Sequence, residues 1–125
     1  MPGKPQYVAL SEFRFRLAQF LHFSEAAARA EGITPAQYLL LLHLHGFPGR
    51  GWGTVGELAE RLQAKHHGVV ALITRCEAAG LVRREASAAD GRRVEVRLTA
   101  KGRAMLDKLA ALHQEELESL QPEKP

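Results

Sequence analysis

Gly80 divides two incompatible hydrophobic periods, and that division restricts the fold more than any other feature of the chain. Before it, Val69, Leu72, Ile73 and Cys76 stand at i, i+3, i+4 and i+7, which places them on one stripe of an α-helix. After it the period falls to 2: Val82 and Ala86, then Val94, Val96 and Leu98, alternate with outward positions that include Arg93, Glu95 and Arg97. Gly80 supplies the helix stop, because glycine takes the left-handed conformation that ends helices without steric cost. The segment "SAADGRR" breaks the alternation, so the two strands are expected to fold back as a hairpin with a basic tip. Thr99 then caps a final helix that carries Met105, Leu106, Leu109, Leu112, His113, Leu117 and Leu120 at helical spacing.

Three further helices are expected upstream. From about Val8 to Ala30, Phe13, Leu17, Phe20, Leu21 and Ser24 share a stripe that Phe15 and Phe23 widen, which predicts a helix buried on more than one side. Thr34, Pro35 and Gln37 give an N-cap, a proline at the first helical position and a capping-box partner for a second helix, which Gly46 stops. Thr54 with Glu57 forms another capping box, opening the short helix "VGELAERLQ". Between these two helices, "FPGRGWG" is expected to be loop. Gly51 to Gly56 formally match G-x-G-x-x-G, but no strand precedes them and no βαβ unit follows, so nucleotide binding is not implied and Trp52 reads as a packing anchor. The predicted order is four helices, two strands and a helix.

At 125 residues the chain has room for one domain with a core. Its composition, 46% hydrophobic and 25% charged, is that of a globular protein and argues against disorder. No apolar run approaches the roughly 18 to 20 residues of a membrane span, and "MPGKPQYVALSEF" lacks a secretory h-region, so a cytoplasmic location is expected. A lone cysteine, Cys76, fits a reducing compartment, and its place on the core stripe predicts a buried, inert thiol. G-x-S-x-G, H-E-x-x-H and Walker patterns are absent, as are paired carboxylates with a supporting base, so no enzyme activity is expected. The charge is unevenly placed: Gln63 to Arg103 holds nine Lys/Arg against four Asp/Glu, while the rest holds eight against ten. Such a local basic footprint suits phosphate binding, although a solvated face would look the same.

A short capped helix, a brief turn, a second helix and a hairpin with a basic tip form the winged helix-turn-helix order. In such modules the second helix of the pair enters the major groove, about 12 Å wide, and arginines of the wing reach the minor groove. The segments "GELAERLQ", "LITRCEAAGLVRR" and "DGRRVEVRLTAKGRAML" resemble, in residue type and spacing, the MarR family of bacterial transcriptional regulators over most of the chain. The resemblance implies one domain, 1–125, that is mainly α with a small β-hairpin. Dimerisation helices are expected at about 8–30 and 99–120, flanking a DNA-binding lobe at about 54–98. It also implies a homodimer on a pseudo-palindromic double-stranded DNA operator, acting as a repressor whose affinity a small phenolic or lipophilic effector can change; no cofactor or metal is implied. The first helix's aromatics could line an effector pocket or fill the dimer core, and the core is favoured.

The wing departs from the family pattern in placing Gly91 where the first of two arginines commonly follows the aspartate. Arg92 is then the expected minor-groove residue, Asp90 a support for the wing's shape and Arg93 a helper. The recognition helix carries Val70 and Ala71 where polar residues are frequent, which leaves apolar contacts such as those to thymine methyls. Hydrogen-bonded readout would fall to Lys65, His66 and His67, with Gly68 allowing close approach of the backbone to DNA. Thr54, Thr74, Arg75 and Arg84 complete the set expected to meet DNA. His66 and His67 point about 100° apart on a helix, and His43 and His45 nearly opposite ways, so neither pair is expected to hold a metal. With the chain ending at Pro125, the dimer is expected to lean on the first helix. The competing reading is a winged helix that binds an acidic protein partner instead of DNA.

Overall fold

The computed structural model describes residues 1–120; of residues 115–117, 119 and 120 it describes the backbone alone. Leu117 and Leu120 of the expected final stripe therefore lie outside the described side chains. The elements run α1 (Lys4–Ala30), α2 (Pro35–Gly46), β1 (Trp52–Gly53), α3 (Val55–Leu62), α4 (His66–Ala78), β2 (Val82–Ala86), β3 (Val94–Leu98) and α5 (Ala100–Leu120).

Local signals produce most of these boundaries. Gln37 N–H donates to Thr34 Oγ1 at 3.1 Å while Gln37 Oε1 accepts from Thr34 N–H at 2.8 Å, closing the expected box of α2. The same reciprocal pair links Thr54 and Glu57 at the start of α3. The first helix begins at Lys4, a turn earlier than the apolar stripe suggests, because Pro5 fits the first turn and Gln6 Oε1 takes the N–H of Gly3. Gly80 adopts a φ of 76°, and the N–H of Leu81 donates to Cys76 O at 2.9 Å, so the chain leaves α4 through a left-handed turn. At the other junction, a Cβ on Gly102 would lie 1.9 Å from Leu81 O, so α5 can start against β2 only with glycine there.

The "FPGRGWG" segment is not wholly loop. Trp52 and Gly53 pair with Arg97 and Val96 as an antiparallel strand, making a three-stranded sheet in the order β1-β3-β2. A two-residue strand has no period to read, and its partner lies more than 40 residues further on. β2 and β3 pair from Val82↔Leu98 to Ala86↔Val94.

The core gathers Leu40, Leu41 and Leu44 of α2 with Leu58 of α3 and Val69, Ile73 and Cys76 of α4, and Leu81, Val82, Val96 and Leu109 close it. Burying each large aliphatic side chain contributes about 1.5–3 kcal/mol; α2 supplies three of them and packs against α1, α3, α4, α5, β1 and β3, which makes it the hub of the fold. The expectation that α1 is buried on more than one side fails within the single chain. Ala28 is its one fully buried residue, whereas Phe13 and Phe15 are 53% and 60% exposed. The helix packs on α2 and α5 through its C-terminal part only. Glu95, read as an outward position, is 6% exposed, with the guanidinium groups of Arg93 and Arg97 on its carboxylate, 3.4 and 2.9 Å away.

Candidate nucleic-acid interface

α3 and α4 are joined by a turn in which Gln63 takes a left-handed φ of 51°. A non-glycine residue pays for that conformation, and Gln63 Nε2 offsets part of the cost by donating to Glu60 O at 2.7 Å. Lys65 follows as the N-cap of α4 and gives it no side-chain acceptor. The N–H groups of His66, His67 and Gly68 are thus without acceptors among the described residues, at the positive end of the helix dipole. Lys65, His66, His67 and Gly68 are all exposed. Such an end is suited to an anion.

Further along α4 the expected contact residues separate. Val70 is half-buried, and Ala71 is exposed one turn after His67. Thr74 Oγ1 donates to Val70 O at 3.0 Å and accepts from Arg84 Nη2 at 2.9 Å. Arg84 also reaches Val70 O at 3.4 Å, and Glu77 takes both its side chain and its backbone N–H, at 2.6 and 3.2 Å. Thr74 and Arg84 therefore form one bracket between α4 and β2, with Glu77 as a member that sequence reasoning missed. A carboxylate and an arginine seven apart across a glycine turn were the available signal. Arg75 lies on another side, where with Gly68 and Leu72 it lines a groove against Ala36 and Leu39 of α2. Thr54 is the N-cap of α3, its hydroxyl donating to Glu57 Oε1 at 3.0 Å.

The wing tip is held by its own polar groups. Ser87 Oγ accepts from the N–H groups of Ala89 and Asp90, each at 3.2 Å, and Asp90 Oδ1 accepts from Arg92 N–H at 3.0 Å. The Arg92 side chain is exposed, with no hydrogen-bond or ion-pair partner among the described residues. Arg93 instead lies over the Trp52 ring, 4.8 Å from its centroid, with Nη2 3.4 Å from both Ser87 Oγ and Glu95 Oε2. Burial pushes the Glu95 carboxyl up, but hydrogen bonds from Arg97 and Ser87 and the charges of Arg97 and Arg93 outweigh it and hold the group below the usual range. Trp52 is half-buried and also carries Arg50, 4.3 Å from its centroid.

A second site lies on the other side of the molecule. A cavity of about 370 Å³ opens between α1, α2 and α5, lined mainly by apolar atoms of Phe20, Leu21, Tyr38, Leu42 and His113. His113 stacks on Tyr38 at 4.8 Å and meets Phe20 and Phe23 edge-on. Its Nδ1 lies 2.6 Å from Leu109 O and its Nε2 2.8 Å from Ser24 Oγ, which assigns the ring proton to Nδ1. Cys76 is fully buried, and burial pushes its thiol up to about 11, so little thiolate exists near neutrality. Among the described residues no group of three His, Cys, Asp or Glu side chains is placed to hold a metal ion.

This arrangement of helices and wing recurs in known structures. AbsC, a MarR family transcriptional regulator from Streptomyces coelicolor, superposes with a TM-score of 0.76 at 24% identity over 96% of this chain and 80% of its own. A MarR family protein from Bacillus stearothermophilus gives 0.79 at 24% identity over 96% and 82%. A MepR mutant from S. aureus bound to an oligodeoxyribonucleotide gives 0.72 at 22% identity over 98% and 87%. No curated protein matches the sequence. The profile of the MarR family matches residues 31–93, half of the chain, from the end of α1 to the wing tip. With that match laid over the helix, turn, helix and wing described above, the chain belongs to the MarR family of transcriptional regulators.

Proposed function

We propose that the protein is a homodimeric repressor that binds a pseudo-palindromic double-stranded operator in the cytoplasm and releases it when a small apolar effector binds. One observation carries the DNA reading. The exposed first turn of α4, with Lys65, His66, His67 and its free N–H groups, is bolted by the Arg84 bracket to a wing whose tip presents Arg92. The helix read here as the major-groove element is thereby tied to the base of the wing that carries the minor-groove arginine. His66 and His67 act as donors to phosphates or base edges. Val70 and Ala71 add apolar contact, and Thr74 contributes through the bracket. The effector reading is supported by the apolar cavity beside His113, whose size suits a small aromatic molecule.

Selection of duplexes from a random pool, followed by anisotropy titration at increasing salt, tests the DNA reading. The expected outcome is one enriched pseudo-palindrome whose log affinity falls with log salt at a slope of about −4 or steeper, from about −0.9 per phosphate contacted. Failure to bind any duplex at about 50 mM salt would sink it in favour of a protein-binding winged helix.

A further inference from the structure

A run of stacked cations joins the start of α3 to the wing, and direct DNA contact leaves it without a purpose. Arg61 lies over the Phe47 ring at 5.0 Å from its centroid, Arg50 over the same ring at 4.6 Å and over Trp52 at 4.3 Å, and Arg93 over Trp52 at 4.8 Å. Each guanidinium is attracted by the ring's quadrupole. The same guanidinium of Arg50 grips both carboxylate oxygens of Glu57, one of them at 3.0 Å, and that carboxylate caps α3 through Thr54. Trp52 is fixed by its pairing with Arg97 across β1 and β3.

Arg93 stands where the wing tip closes. The last strand pair is Ala86↔Val94, and beyond it Ser87 N–H donates to Arg93 O at 2.8 Å and Arg93 N–H to Asp90 O at 3.0 Å. A two-stranded ribbon is marginal without lateral support, so a tip of this size needs something to set its direction. Arg93, stacked on an indole ring and with Nη2 3.4 Å from a buried carboxylate, thus has internal partners that Arg92 lacks among the described residues.

We propose that Trp52 and Arg93 are positioning residues for the wing: the Arg50–Trp52–Arg93 stack holds the tip in place relative to α3 and α4, and Arg92 reaches the duplex productively only while the stack is closed. The second clause rests on the DNA-binding reading; the first does not.

The test has one arm without DNA and one with it. Amide hydrogen exchange is measured at Ser87 and Arg93 in the wild-type protein, in Arg93→Gln and in Trp52→Leu. Arg93→Gln alters a side chain that is 43% exposed and leaves the core untouched, whereas Trp52→Leu also opens the sheet edge. Exchange at both amides should rise about tenfold or more in Arg93→Gln while the amides of α4 keep their rates; unchanged exchange at the tip overturns the proposal. On the selected duplex, Arg92→Ala should weaken binding about tenfold in the wild-type background and less than about threefold alongside Arg93→Gln. Equal losses in the two backgrounds overturn the link to Arg92. Should the wild-type protein bind no duplex, the DNA-binding reading fails, and the exchange arm still decides whether the stack holds the tip.

Discussion

Gly68 lies in the first turn of a helix with open space where its side chain would be: a Cβ built there meets nothing within 4 Å. Gly102 differs, since backbone forbids any larger residue. The free protein gives no steric reason for glycine at 68, and glycine in a helix costs about 0.5–1 kcal/mol relative to alanine. On the proposed DNA-binding reading, a duplex lying against the helix end would supply the missing reason, because backbone could then approach closer than a side chain permits. Gly68→Ala is therefore expected to stabilise the free protein by about 0.5 kcal/mol in urea unfolding and to weaken operator binding about tenfold or more. A stabilised variant that binds as tightly as the wild type would remove close approach at this residue. Cys76 illustrates a residue that could be read in advance: its place on the stripe of Val69, Leu72 and Ile73 predicts burial, and it is buried. Glu95 could not be read this way. Its alternation matches that of Arg93 and Arg97, but those two arginines fold over its carboxylate and leave it 6% exposed.

At the scale of the element, α3 shows how one carboxylate can serve two structures. Glu57 closes the capping box with Thr54 and holds Arg50, which in turn lies on Trp52. The hydrogen bond from Arg50 is the largest cause that brings its pKa down to about 2; burial works against it, and the bonds from Thr54 add to it. A carboxyl with a depressed folded pKa contributes stability that is present above its unfolded value, about 4.3, and disappears as pH falls through the folded value. Glu57→Gln should therefore cost about 1 kcal/mol at pH about 7, a modest figure because the side chain is over a third exposed. The difference from wild type should shrink as pH drops from about 5 towards 2, as followed by urea unfolding at each pH. A difference that stays constant with pH would show that the charge of Glu57 is not involved. The capping boxes at Thr34 and Thr54 and the stop at Gly80 were legible because each is completed within a few residues. The Trp52–Gly53 strand, the Arg84 bracket and the cation stack were not, since each depends on a partner that only the tertiary fold brings near.

The whole molecule presents a surface that a single chain leaves unexplained. Along the first half of α1, Tyr7, Val8, Leu10, Phe13 and Phe15 all stand in the open, each at least about half exposed, and Leu112 of α5 joins them. A run of large apolar side chains this long is costly to leave in water and marks an interface. The proposed two-fold operator gives the interface an occupant, since a second copy of the chain would cover α1 and set the spacing of two recognition helices. Because Phe13 touches little within its own chain, Phe13→Asp should leave the fold intact, with helical circular dichroism unchanged, yet place a charge where the partner's apolar face must lie. Sedimentation should then show a single chain where the wild-type protein sediments as two. Affinity for the full operator should fall by about 100-fold or more, because two half-sites are no longer bound as one event. A wild-type protein that sediments as one chain would refute the dimer directly. A monomeric variant that keeps full affinity would separate the DNA reading from the dimer, and α1 would then need a partner other than its own copy.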